Sequence, residues 1–460
     1  MREFDFVIGY EHKVREMESL CLLKLELEKR GYSVFVYYLD DKNFVYKINA
    51  IHCNVLILPF GYGNECVAES VRQAVRFDKI INLQWEQVLS REQEQNIDSP
   101  KTPKEACREA VHISWGEANV KRLVDFAGLP KERVIPCGDL VMDFLKPPFT
   151  KCYLSRKEVF EKFGLDPGKK TFLFISSFKA AFFSGKQLEA EIKAMGPNRL
   201  IQHEVMLESF NIIMEWVEDW LKNHPDELMI YRPHPGEETT WNDEVRGLMN
   251  RLQDTYSNFR VIGDYTVRQW ILVSDTIIMG ISTALTEVYA AGKSCAILYP
   301  KPLPEALTGI MMDNASYIRT KAEFDEMMDM EDYPFPIPEK DLFAYYGNLN
   351  EFAYPKVADV CEKVYNDQGF TISEEGHRAI YDFDIRDKSG IRRLAQIVYR
   401  RKWVKDLIDI WYRITFFRAK SKRKKREWAV REGRRNVEYV DDAYIRNLED
   451  TYAKLLEEIN

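Results

Sequence analysis

Leu228-Met229-Ile230-Tyr231-Arg232-Pro233-His234-Pro235-Gly236-Glu237 is an apolar strand that runs directly into a turn made of two prolines, a histidine and a glycine. Proline fixes φ and lacks an N–H, so Pro-His-Pro ends the strand. It also holds the imidazole, with Arg232 beside it, at the carboxyl edge of the sheet that the strand joins. A second apolar run, Thr276 to Met279, opens into Gly280-Ile281-Ser282-Thr283-Ala284-Leu285-Thr286-Glu287. A strand-to-helix turn made of Gly, Ser and Thr leaves backbone N–H groups open to an anion. Both turns suit a phosphate.

The same alternation extends outward from this pair. Strands are expected at 171–176, 228–231, 259–262, 276–279 and 294–298, and helices at 156–163, 204–223, 243–253, 267–273 and 283–291. Upstream, strands are expected at 4–9, 32–39, 54–60, 79–83, 111–115 and 134–137. Helices are expected there at 14–30, with Met17, Leu20, Leu23 and Leu27 on one face, and at 118–126. Short buried strands alternating with helices predict parallel sheets. Lys146-Pro147-Pro148 can continue neither element and reads as a linker. The predicted division is 1–147, a Rossmann-like acceptor-side domain, 148–368, a Rossmann-like donor domain, and 369–460, a helical basic tail.

The two motifs, in this order and spacing, resemble the nucleotide-binding half of GT-B glycosyltransferases. They are most similar to the bacterial group with an HP and a Ser-Ser/Thr motif, which includes sialyltransferases, capsule Kdo transferases and the more distant CDP-glycerol polymerases. The resemblance implies an α/β GT-B fold, two Rossmann-like domains facing a cleft. It implies that His234 contacts the donor phosphate, with Ser282 and Thr283 on the same anion, and that Glu287 accepts hydrogen bonds from the donor ribose. Arg232, Pro235 and Gly280 complete the expected nucleotide site, and Ser176 and Ser177, after the domain's first strand, line it. Gly292-Lys293-Ser294 departs slightly from the Gly-Lys-Pro or Gly-Pro of many members. Ser and Thr also serve as plain N-caps, which is compatible with holding an anion. A site built from N–H groups, hydroxyls and an imidazole calls for no cofactor and no metal.

The first domain is expected to supply the catalytic base and the acceptor side. Glu86 follows a buried strand in Asn82-Leu83-Gln84-Trp85-Glu86-Gln87, and Glu117 repeats that arrangement in Ser114-Trp115-Gly116-Glu117. Asp139, in Gly138-Asp139, is the third candidate. Each also suits a helix N-terminus, where carboxylates are favoured. His12, Tyr62 and Trp85, at other strand exits, are expected to line the acceptor side.

Composition bounds these readings. The chain has 460 residues, 45% hydrophobic and 13% aromatic, enough for two cores and an appendage. Its eight cysteines form no CxxC pair and suit reduced core positions in a cytoplasm. The first residues enter a strand without a charged-then-apolar leader, and no apolar run approaches the ~20 residues that a bilayer span needs. Net charge is −8, but 388–435 holds eighteen Lys and Arg against four Asp and Glu, a local +14 that leaves −22 elsewhere. Within it Trp403, Leu407, Ile410, Trp411, Ile414 and Phe417 recur at helical spacing beside basic residues, the pattern of an anchor on an anionic inner-membrane surface or of a helix packed on the acidic body. No nucleic-acid reader module is present.

The leading expectation is a cytoplasmic, membrane-peripheral, metal-independent glycosyltransferase of surface-polysaccharide assembly. It would use a nucleotide-activated sugar, a CMP-linked acidic sugar such as Kdo or a nonulosonate, and a glycan or lipid-linked acceptor. The alternatives are a CDP-polyol phosphotransferase, a nucleotide-sugar epimerase and a non-catalytic GT-B scaffold.

Overall fold

The computed structural model describes residues 1–41, 50–71, 74–347, 349–386 and 437–458. The chain forms two compact units, one from 1–87, 97–143 and 351–460, the other from 88–96 and 144–350.

In the first unit six parallel strands lie in the order β2-β1-β3-β4-β5-β6. They are β1 (Arg2–Tyr10), β2 (Val34–Tyr38), β3 (Ile51–Leu58), β4 (Val75–Asn82), β5 (Val111–Ser114) and β6 (Val134–Pro136). Phe6 pairs with Val55 and Ile8 with Ile57 across β1 and β3. Phe6-Val7-Ile8 and Val55-Leu56-Ile57-Leu58 are wholly buried, as a parallel sheet covered on both faces requires. The chain steps from β1 outward to β2, then crosses to β3 on the other side, so strand order reverses between β1 and β3.

Three later helices belong to this unit, where the sequence division placed the second domain and a separate tail. The helix Tyr354–Asn366 packs on Lys13–Lys29, with Arg30 donating to Asp359 at 2.7 Å and Glu362 at 3.2 Å. Its N-terminus is held by the buried Asp143 carboxylate, which accepts from Ala353 N at 2.9 Å and Tyr354 N at 2.8 Å. The helix Glu374–Arg386 follows, its Ile380 buried in the sheet core and the Tyr381 hydroxyl on Val75 O at 3.0 Å. The helix Asp442–Glu457 buries Ile445, Tyr452, Leu455 and Leu456 and ties Glu449 to Lys24 at 2.5 Å. Just before it, the Tyr10 hydroxyl, at the end of β1, donates to Glu438 O at 3.1 Å and accepts from Val440 N at 3.0 Å. The basic stretch 388–435 and its aromatic face lie outside the described residues.

In the second unit five parallel strands lie in the order β11-β10-β7-β8-β9. They are β7 (Thr171–Ile175), β8 (Leu228–Arg232), β9 (Phe259–Val261), β10 (Thr276–Met279) and β11 (Ser294–Ile297). Each falls within one residue of its expected limits. The helix expected at 204–223 begins at Asn198, and a helix Gly185–Met195 precedes it unpredicted. The chain runs β7 to β8 to β9, then returns to the far side of β7 for β10 and β11. The reversal therefore lies between β7 and β10, where open α/β sheets bind ligands beyond their carboxyl ends. All eight cysteines are free, six of them buried. Among the described residues no helix is long and apolar enough to cross a membrane.

Two outcomes follow from the first unit. Deleting 437–460 removes five buried apolar side chains, Val440 among them, each contributing ~1.5–3 kcal/mol, and is expected to lower the Tm by at least about 4 °C in thermal melts; an unchanged Tm would show the terminal segment to be dispensable. His112 is fully buried, its Nε2–H donating to Cys107 O at 2.9 Å while Nδ1 accepts from Asn82 at 3.2 Å, and burial lowers its pKa from 6.5 to about 3. The stability from keeping it neutral is fully present above pH 6.5 and is lost toward pH 3, at up to about 1.4 kcal/mol per pH unit. Denaturant titrations between pH 7 and 4.5 should show that slope in the native chain and a shallower one in His112→Gln.

Candidate functional site

The turn after β8 is built by the motif itself. Glu237 N donates to His234 O at 2.8 Å, closing a β-turn with Pro235 second and Gly236 third. Gly236 takes φ 76°, the left-handed region that the third position of a type II turn demands and that glycine enters without strain. Beneath the turn the Glu237 side chain is wholly buried. Its carboxylate accepts from the Ser176 hydroxyl at 2.7 Å, the Tyr231 hydroxyl at 2.8 Å and His234 N at 3.2 Å. Burial pushes the Glu237 carboxyl pKa up, and these donors pull it back. The strand supplies Tyr231, the exit of β7 supplies Ser176, and together they brace the backbone of His234.

Around this brace lies a cavity of about 490 Å³ at the β7/β10 switch, whose lining includes His234, Ser177, Ile281, Ser282 and Thr283. It thus gathers four of the residues expected at the donor. Gly280 lets Ser177 come close, since a Cβ there would meet Ser177 Oγ at 2.4 Å and force that hydroxyl to turn away. Ser282 Oγ accepts from Ala284 N at 3.3 Å, and Thr283, at the start of the helix Ala284–Ala290, makes no side-chain cap. His234 Nδ1 lies 3.0 Å from Pro235 O. A carbonyl can only accept, so Nδ1 carries the proton and Nε2 the lone pair of the neutral ring. Although one edge of the ring is open to solvent, burial of the remainder lowers its pKa, and the nearby Lys179 lowers it further.

Other expected residues serve the walls. Ser176 is buried and committed to Glu237. Arg232 is buried and donates to the carbonyls of Gly263 at 3.2 Å, Asp264 at 2.9 Å and Tyr265 at 2.5 Å, fastening β8 to the loop after β9. Burial lowers its pKa to about 10, against the pull of Glu287 and Asp264. Glu287 pairs with Arg268 at 3.2 Å, and Arg268 Nε in turn reaches the Tyr153 hydroxyl at 2.9 Å. The sequence reading missed Lys179, Arg199 and Gln202, which also line the cavity. Lys179 stands four residues beyond the end of β7, so the rule that finds His234 after β8 reaches it too. Arg199 opens the unpredicted first turns of Asn198–Asn223 and had no such signal. Among the described residues no group of three or more His, Cys, Asp or Glu side chains is placed to hold a metal ion.

In the first unit, strand exits bring some candidates together. Glu86, half exposed after β4, pairs with Lys101 and lies 3.9 Å from Arg15, which also reaches Glu11 at 3.7 Å. Lys101 stands over the Tyr62 ring at 5.4 Å, and burial, then the Glu86 charge, pushes the Tyr62 phenol up. His12 joins the edge of this group through Glu11 at 3.6 Å and Glu438 at 3.5 Å. Trp85 is buried, its Nε1 without a partner among the described residues. Asp139 is buried and accepts from Val141 N at 3.0 Å, starting the 3-10 turn Leu140–Leu145. Glu117 is exposed in the first turn of Glu117–Lys121, with no hydrogen bond or ion pair among the described residues.

No protein family and no curated protein matches this sequence. Solved structures share its fold. A UDP-GlcNAc 2-epimerase from Methanocaldococcus jannaschii is similar over 78% of this chain and 99% of its own, at 10% identity and a TM-score of 0.50. A UDP-GlcNAc 2-epimerase from Neisseria meningitidis, bound to UDP-GlcNAc, is similar over 79% and 100%, at 13% identity and a TM-score of 0.46. The wall teichoic acid polymerase TagF, soaked with CDPG, is similar over 79% and 89%, at 13% identity and a TM-score of 0.49. At such identities the likeness concerns the fold alone, and that fold is the expected one: two parallel-sheet α/β units of the GT-B class.

The brace is open to test. Glu237→Ala removes the acceptor of the Ser176 hydroxyl and of His234 N–H, each worth about 1–3 kcal/mol when left unpaired, while the Tyr231 hydroxyl keeps Ser176 Oγ at 2.8 Å; the variant is expected to lower the Tm by several degrees, with Glu237→Gln intermediate. Melts of both variants indistinguishable from the native chain would mean that Glu237 braces nothing.

Proposed function

We propose that this chain is an enzyme acting on a nucleotide-activated sugar or polyol, with the nucleotide phosphate seated in the β7/β10 cavity, and that it transfers the activated group to a surface-polysaccharide acceptor. The observation that carries this reading is the convergence of His234, Ser177, Ser282 and Thr283, from three separate strand exits, on one cavity at the switch point. Departure of the nucleotide concentrates negative charge on its phosphate. Hydroxyls and a cationic imidazole aimed at that charge stabilise the transition state most where water is excluded. His234 rests neutral with Nδ1–H already spent on Pro235 O, so Nε2 becomes a donor to phosphate only by taking up a proton. Binding the anion therefore raises the imidazole pKa, and affinity is strongest at low pH and falls as pH rises through the pKa of the complex.

The base that activates the acceptor is assigned to the first unit. Glu86 remains the candidate, although Lys101 and Arg15 already occupy its carboxylate; Glu117, whose oxygens are unengaged among the described residues, is its rival. The donor's charge is met by side chains, so chelators are expected to leave activity unchanged. The sequence resemblance favours a CMP-linked acidic sugar.

Incubation with CMP-, CDP-, UDP- and GDP-activated donors tests the reading, with free nucleotide and altered sugar measured separately. Nucleotide release matched by sugar gained on an added glycan acceptor marks transfer, release matched by free sugar marks hydrolysis, an isomeric nucleotide-sugar marks an epimerase, and failure to bind any nucleotide sinks the proposal. His234→Ala should lower kcat/KM by roughly 10²-fold without changing the Tm. It should also abolish the pH dependence of nucleotide affinity measured by calorimetry.

A further inference from the structure

We infer that Gln84 and Gln87 are positioning residues for Glu86, and that the β4 exit, 82–87, is a strained support presenting that one carboxylate. This rests on the transfer reading above, with Glu86 as the base. Within the stretch the polar residues on either side of Glu86 are buried, Asn82 and Gln84 wholly and Gln87 almost so, whereas the Glu86 side chain is half exposed. Amide side chains mostly face water, so three of them turned inward around one exposed carboxylate mark a fastening.

The fastenings reach both neighbouring strands. Leu83 N donates to Leu58 O at 2.9 Å and Trp85 N to Pro59 O at 3.2 Å, which ties the exit to that of β3. Ahead of Glu86, Gln84 N donates to Asn82 Oδ1 at 3.2 Å, and Gln84 Oε1 accepts from the buried Asn119 amide at 3.0 Å. The Arg122 guanidinium in turn donates to Asn119 Oδ1 at 2.8 Å. Directly after Glu86, Gln87 Nε2 donates to Ile113 O at 2.9 Å, and Gln87 Oε1 accepts from Trp115 N at 2.8 Å, a bridge to the end of β5. Gln84 carries two costs in this arrangement. Its φ is 49°, a left-handed backbone that a residue with a Cβ adopts only with strain, and its buried Nε2 has no partner among the described residues. Glycine would remove both costs. Strain of this kind persists where the surroundings over-determine it, and it gathers at functional sites. Here it stands two residues before the carboxylate that meets Lys101 and, at 3.9 Å, Arg15.

Double-mutant cycles on the full chain decide it, with nucleotide release from CMP-Kdo, CDP-glycerol and UDP-GlcNAc as the readout and thermal melts to confirm folding. Gln84→Gly and Gln87→Ala are each expected to lower kcat at least about tenfold with the KM for the donor unchanged, because a base acts on the acceptor. Gln84→Asn, which tolerates the left-handed backbone and keeps an amide, should restore part of the loss. Glu86→Gln is expected to cost roughly 10²-fold. A residue that acts only through Glu86 has nothing to act on once that carboxylate is gone, so Gln84→Gly and Gln87→Ala should cost nothing further in the Glu86→Gln background. The two cycles are independent, so a variant that fails to fold leaves the other to decide. Equal losses in both backgrounds, full turnover in either glutamine variant, or full turnover in Glu86→Gln overturns the inference and leaves the nucleotide reading standing, as does a native chain that binds CMP, CDP or UDP and releases nucleotide from no donor. A native chain that binds none of the three nucleotides overturns both.

Discussion

The second unit is organised around a carboxylate that has no access to water. Glu237 lies at the meeting point of β7 and β8, and a buried carboxyl group is accommodated there only because a serine, a tyrosine and a backbone N–H converge on it. Such a network has little tolerance for partial satisfaction, so it specifies the relative placement of the two strand exits. The His234 turn inherits its position from that placement. The same economy explains Arg232, whose guanidinium is used to hold the neighbouring loop.

A consequence is a division of labour within one short motif. Tyr231, Arg232 and Glu237 face the interior and hold the scaffold, the two prolines and Gly236 shape the chain, and His234 alone is presented to the cavity. Side chains on successive strand residues point to opposite faces, so Tyr231 and Arg232 secure β8 from both sides of the sheet. Gly280 shows a matching closeness on the other wall, where a Cβ would force the Ser177 hydroxyl to turn away.

Much of the fold was legible because buried parallel strands are written as continuous apolar runs, and the strands of both sheets fall close to where those runs are. Elements that depend on distant partners were not. The helix Tyr354–Asn366 returns to the first unit because Asp143, more than two hundred residues earlier, caps it, and local periodicity carries no trace of that. Within the second unit the motifs picked out His234, Ser282 and Thr283, which line one cavity, but local sequence could not tell a side chain that lines the cavity from one spent on the scaffold, as Arg232 and Ser176 are here. Lys179 was within reach of the strand-exit rule, whereas Arg199 arrives on a helix start that no cap residue announced.

The terminal helix ties distant parts of the sequence to one sheet. Tyr381 is fixed where β4 begins, and Glu438 and Val440 are fixed to Tyr10 where β1 ends. The two anchorages lie on strands separated only by β3. Unfastening either one therefore leaves the other seated, and the last residues of the chain come free of the first unit's sheet only when β1 and its neighbours give way.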